Sequence, residues 1–236
     1  MTRLIPLLTV KENKLVKTKL FQTYKYMGDP INAVNIFGKL QVDELVVLDI
    51  SETFIEHETL SLLDKISERA LMPITYGGHI NNFVFAKKIF DLGFDRIIIR
   101  RGLSNSEMIN NLISTYGSSS ITAGFDVVKI RDNLYEINNK IMNLNEIENF
   151  FEIIVQMNYG QILLNYKEKD GTRTGLELDT LIELGIERLQ IPIIIAGGCT
   201  SKKEAYDFMI DKPKISVAAS SIFTLVPPND AVLIRY

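Results

Sequence analysis

One cysteine, Cys199, is all the thiol this 236-residue chain carries, so an internal disulfide and a cysteine-rich zinc cluster are both excluded. His57 and His79 stand at no close zinc-ligand spacing from it, and no metal site is expected. No apolar run approaches the roughly 20 residues that cross a bilayer. Charge of one sign is scarce too: 26 Lys+Arg against 29 Asp+Glu leave a formal charge of -3, no general attraction for nucleic acid. There is no Walker A phosphate loop, and Gly77-Gly78 lacks the spacing of a dinucleotide fingerprint, so no nucleotide cofactor is implied. A low-complexity tract and a Pro/Gly-rich linker are absent as well. The reading is a cytoplasmic protein of one domain spanning residues 1–236, and its 46% hydrophobic content suffices for a sizeable core.

Eight short apolar runs are present: Leu4 to Val10, Leu45 to Ile50, Pro73 to Tyr76, Arg96 to Arg100, Ser120 to Asp126, Gln161 to Asn165, Pro192 to Ala196 and Ile215 to Ala219. Most lack strict polar alternation, as strands of a parallel sheet covered on both faces do. Between them lie helical stripes, Ile31, Val34, Phe37 and Leu40 beside Ile36, then Phe83, Phe85, Ala86, Ile89, Phe90 and Leu92. Asp29-Pro30, Asn81-Asn82 and Thr200-Ser201 fit helix starts, and Leu92-Gly93 and Leu184-Gly185 fit helix ends. The repeating unit is strand, loop, helix. Eight units in this length predict a closed (β/α)8 TIM barrel, with a doubly wound open sheet as the competing α/β fold. The irregular stretch 127–145 is expected to hold an extended pair around Asp132-Asn133.

Reactive groups of such a barrel sit at the C-terminal strand ends. Asp49, Asp126 and Asp170 fall there. Two carboxylates facing each other across an apolar mouth divide acid and base roles through burial and mutual repulsion. Alternatively, Asp49 caps a loop and Asp170 shapes a turn with Gly171. The corresponding end of the first strand carries Thr9 instead of an acid. Gly77-Gly78, Gly171-Thr172, Gly197-Gly198 and Ala219-Ser220-Ser221 offer backbone or hydroxyl donors suited to phosphate, most specifically after strands seven and eight. Arg100-Arg101 adds charge beside that anion site or in another polar substrate pocket, or is a solvated strand end with an outward ion pair. His79 could contact an anion. Cys199 has no signal of an activated thiol, and packing is its default role.

Arg3-Leu4-Ile5-Pro6, Leu15-Val16-Lys17, Gly28-Asp29-Pro30, Asp43-Glu44-Leu45, Leu48-Asp49-Ile50, Asp170-Gly171-Thr172, Gly197-Gly198 and Ala218-Ala219-Ser220 run in order along the chain. Together they resemble the cyclase-subunit family of imidazole glycerol phosphate synthase. The resemblance implies a barrel that receives ammonia from a HisH-like glutaminase subunit docked on its N-terminal face. It also implies a substrate contact for Lys17 and phosphate or substrate contacts at Asp49, Gly77, Gly78, Gly171, Thr172, Gly197, Gly198, Ala219 and Ser220. Two essential acids are implied at the ends of strands one and five; Asp126 matches the second, but Thr9 occupies the first. His79 stands where a third glycine is usual, and Arg100 where an asparagine is. A charged ring at the lower mouth is matched by Arg3, Glu44 and Arg96, with Gln161 in place of a second glutamate.

A narrower likeness, carried by Arg3 to Leu8, Leu15 to Thr18 and Asp230 to Ile234, is to cyclase-like proteins of glycosyl amidation in surface-polysaccharide pathways. It implies ammonia delivery to an ATP-using sugar amidotransferase acting on a nucleotide-linked or otherwise activated sugar, with acetamidino-sugar formation there. The alternative is the cyclase-lyase reaction itself, with Asp126 as acid or base and Asp170 assisting.

Overall fold

The computed structural model describes residues 2–226 and the backbone of Ala231–Val232; the rest of the Asp230 to Ile234 motif lies outside the described residues. All eight expected runs are strands: β1 Leu4–Lys11, β2 Leu45–Asp49, β3 Ile74–Gly77, β4 Arg96–Ile99, β5 Ile121–Arg131, β6 Gln161–Tyr166, β7 Ile193–Ala196 and β8 Ile215–Ala219. Each pairs in parallel with its successor, Leu163 lies opposite Gly124 of β5, and β8 returns to β1 with Val217 opposite Leu4. The ring is therefore closed, and the open-sheet alternative is excluded.

Among the described residues eight α-helices cover the outside: α1 Pro30–Lys39, α2 Glu56–Ser67, α3 Phe83–Asp91, α4 Ser106–Tyr116, α5 Leu144–Gln156, α6 Leu178–Glu183, α7 Lys202–Met209 and α8 Ser221–Thr224. The expected start signals are real caps. The side chains of Asp29, Asn82 and Ser201 accept from backbone N–H groups of the first turn, and Asn143 with Glu146 closes a reciprocal capping box on α5. No described helix is long and apolar enough to cross a membrane.

Alternate strand side chains divide into two cores. Ile5, Leu7, Val46, Ile98, Leu163, Ile194, Ala196 and Ala218 fill the barrel. The other set, including Leu8, Val47, Ile97 and Phe125, packs under the helices, where Phe125 meets Phe151 of α5 edge-on at 5.2 Å.

Two antiparallel hairpins rise from the upper strand ends. One was expected: β5 runs on past Asp126 and pairs with Leu134–Ile137, which pairs with Lys140–Asn143. Asparagines at 133, 138 and 139 take the positive φ its turns need. The other, Lys14–Lys19 with Thr23–Gly28, folds back on β1 where no strand was expected. Its tip uses Leu20 and Phe21 at φ 56° and 54°, residues without the Asn or Gly signal that such turns favour.

Phe151→Ala should cost about 3–5 kcal/mol of unfolding free energy in urea titrations, because a buried aromatic between sheet and helix is lost. A loss below about 1 kcal/mol would contradict this packing.

Candidate functional site

Below the apolar filling, the inward-facing positions turn polar. Glu44, just before β2, is only 1% exposed, yet it carries the centre of a network. Its carboxylate forms an ion pair with Arg3, lies 3.3 Å from Arg96 and accepts from Thr75 Oγ1 at 2.8 Å. Arg3 Nη2 also donates to Gln161 Oε1 at 3.1 Å, and Gln161 Nε2 donates to Thr122 Oγ1 at 2.9 Å. All four residues matched to the lower-mouth ring thus meet in one layer. Two guanidinium groups share one carboxylate there, and neutral Gln161 completes the network through hydrogen bonds. Such a layer is costly unless fully paired, and here every named group has a partner. Thr75 and Thr122 were missed in the sequence; continuing the two-residue period of each strand down from its apolar inward positions would have found them.

The upper mouth holds a cavity. Thr9 of β1, Lys17 of the first hairpin, and Asp170 and Gly171 after β6 line one side. Gly197 and Gly198 after β7, with Ala219 and Ser220 at the end of β8, line the other. The anion-type donors predicted after strands seven and eight and the predicted Lys17 contact therefore open on one space. Ser221, the last of the Ala219-Ser220-Ser221 run, joins them, as does Arg173, which was not singled out in the sequence.

Asp170 is the clasp between hairpin and barrel. Thr18 Oγ1 donates to its Oδ2 at 2.6 Å, Phe21 N–H at 3.3 Å, and Lys17 Nζ lies 3.5 Å from Oδ1. Its carbonyl accepts from Leu20 N–H at 2.9 Å. Glycine is required next door: Gly171 has φ +68°, and a Cβ there would stand 2.1 Å from the Thr18 carbonyl oxygen. Lys17 is 8% exposed. Burial above all pulls its ammonium below the usual 10.5; Asp170 opposes this and the Arg173 charge adds to it.

Asp126 is held elsewhere. Its Oδ2 accepts from Arg100 Nη1 at 2.6 Å and its Oδ1 from Asn165 Nδ2 at 2.9 Å. Its own N–H donates to Asn138 Oδ1 at 2.9 Å. Each of the two candidate carboxylates thus has a cation of its own, Arg100 for Asp126 and Lys17 for Asp170. Arg100, left open between a role at the anion site and an ion pair at a solvated strand end, pairs with the carboxylate of Asp126. Asn165 and Asn138 gave no signal of their own, because nothing short-range links them to Asp126.

Asp49, Gly77, Gly78, His79 and Thr172 do not line the cavity. Asp49 accepts from Ser51 N–H and Oγ at 2.9 and 2.6 Å, the loop-capping role. Gly77 faces inward between Leu48 and Ile98, and Gly78 packs on Asp49. His79, at φ 54°, stacks on Phe54 with centroids 4.7 Å apart; it keeps the backbone shape that favours glycine while its ring turns to an aromatic neighbour. Thr172 donates to the Lys169 carbonyl at 2.9 Å. Cys199 does line the cavity, but burial pushes its thiol up to about 12, and its Sγ donates to the Ser201 carbonyl at 3.4 Å, so it stays an unactivated thiol.

The family profile described as histidine biosynthesis protein matches residues 3–225, from the Arg3 layer to the end of the last barrel unit. The chain belongs to this family. Among HisF-like relatives, one from Leptospira borgpetersenii, provisionally named an imidazole glycerol phosphate synthase subunit HisF, is 33% identical over 240 residues, covering 99% of this chain and 94% of the relative. A Pseudomonas aeruginosa relative, provisionally named subunit hisF2 of the same synthase, is 32% identical over 99% of this chain and 95% of its own. A Streptococcus sanguinis protein named imidazole glycerol phosphate synthase subunit HisF is 27% identical over 94% and 89%. The match is thus to whole barrels, including both mouths.

Glu44→Ala should cost roughly 3–5 kcal/mol by strand-end charges left unpaired. Urea unfolding checks this, and unchanged stability would show that Arg3 and Arg96 need no buried counter-charge.

Proposed function

We propose that this barrel is the ammonia-using subunit of a glutamine-dependent synthase of the imidazole glycerol phosphate synthase type. A glutaminase docks on its N-terminal face, and a phosphorylated sugar derivative binds at its upper mouth. The observation that carries this reading is the closed polar layer of Arg3, Glu44, Arg96 and Gln161 at the lower mouth, beneath an apolar interior and a donor-lined cavity. A charged layer of that kind adds nothing to a core that apolar side chains would not supply at least as well. Its position on the axis suits control of what enters the barrel from below.

For the reaction, the names of the relatives favour the ring-forming cyclase step over sugar amidation. In that reading Asp126 becomes available once substrate draws Arg100 away, and Asp170 orients the reacting part. Two observations favour the second reading, in which the barrel supplies ammonia to a sugar amidotransferase: Thr9 offers no titratable group near neutrality, and Asp126 is already committed to Arg100 and Asn165. An ammonia route needs a matched lower face and a continuous interior, and it does not need an acid pair.

Amide-labelled glutamine (nitrogen-15), supplied to the barrel with its glutaminase, distinguishes the two. Label in an imidazole product is expected for the cyclase reading, and label in an acetamidino sugar, with the amidotransferase present, for the second. If both products form equally well from glutamine without this barrel, the proposed role is wrong.

A further inference from the structure

We propose that Lys17 is a nucleophilic lysine that forms an imine with the carbonyl of an open-chain sugar phosphate bound in the upper cavity. Three observations converge. Lys17 lines the same cavity as Gly197, Gly198 and Ser220, so a small sugar whose anion is held by those donors would share that space with Lys17. Asp170 is arranged with its oxygens divided: Oδ2 takes the Thr18 and Phe21 donors, while Oδ1 faces Lys17 Nζ at 3.5 Å. The amine is buried and has the Arg173 charge nearby, the two circumstances that make a lysine nucleophilic.

The step balances with the groups present. The Lys17 ammonium passes one proton to Asp170 Oδ1, and the freed amine attacks the carbonyl carbon. A nitrogen proton moves to the resulting alkoxide and gives the carbinolamine. Asp170 then returns its proton to the hydroxyl, which leaves as water while the nitrogen lone pair closes the protonated imine. Ammonium and carbonyl are consumed, iminium and water formed; the net charge is unchanged, and no oxidant or reductant takes part. Asp170 thereby serves as a proton shuttle as well as the hairpin clasp.

The inference rests on the sugar-phosphate half of the reading above and on none of the ammonia transfer. Trapping requires neither glutaminase nor glutamine, so the two can fail separately. The full chain is incubated with ribulose 5-phosphate or dihydroxyacetone phosphate, reduced with borohydride and mapped by mass spectrometry. The expected result is one borohydride-dependent sugar adduct on the Lys17 peptide, weaker with unphosphorylated dihydroxyacetone and absent in both Lys17→Arg and Lys17→Met, whose folding is checked by thermal melting. Its rate should reach half-maximum below pH 10.5, the ordinary lysine value, because a lowered ammonium pKa leaves more free amine at each pH. Asp170→Asn should slow it about a hundredfold. No adduct with either phosphate, or equal labelling of Lys14 and Lys19 that persists in Lys17→Arg, overturns the proposal.

Discussion

Closure of the sheet between β5 and β6 is the constraint on which the rest depends. With Gln161 to Tyr166 set against Thr122 to Val127, every strand has two neighbours and every second side chain points to the axis. Burial then forces a decision at each inward position. In the middle of the barrel apolar side chains and small residues fill the space. At the two ends, where a purely apolar filling would meet water, the sequence instead spends its charged and hydrogen-bonding groups.

The two ends spend them differently. Below, three charged groups and several neutral ones form a single network in which Glu44 has no solvent of its own, so its neighbours must supply all its compensation. Above, each carboxylate has a cation from another element: Arg100 at the end of β4 for Asp126, Lys17 on the hairpin for Asp170. The lower mouth is a structure that closes. The upper mouth is a cavity, and of those two pairs it is Lys17 with Asp170 that lines it.

The barrel was legible because its strands are short, apolar and regularly spaced, and because caps such as Asp29, Asn82 and Ser201 mark helix starts by local chemistry. The Lys17 hairpin was not legible as strands, since Leu20 and Phe21 reach left-handed backbone through contacts with Asp170, 150 positions or so away in the chain, which no local signal encodes. For the same reason Lys17, Asp170, Gly197 and Ser220 could be named as candidates, yet only the folded ring brings them to one cavity. For Arg100 an ion pair at the strand end was one of the readings left open, but its partner Asp126 lies on the adjacent strand, and charge alone does not say which anion a guanidinium will meet.

The most direct measurement is the leakage of ammonia from the reconstituted complex with its glutaminase, taken as free ammonium per glutamate formed during turnover of the acceptor. The intact lower layer should keep leakage low, and Glu44→Gln, which preserves shape but removes the charge shared by Arg3 and Arg96, should raise it while turnover driven by added ammonium salt persists. Equal leakage in both proteins would contradict the proposal that this layer gates the barrel.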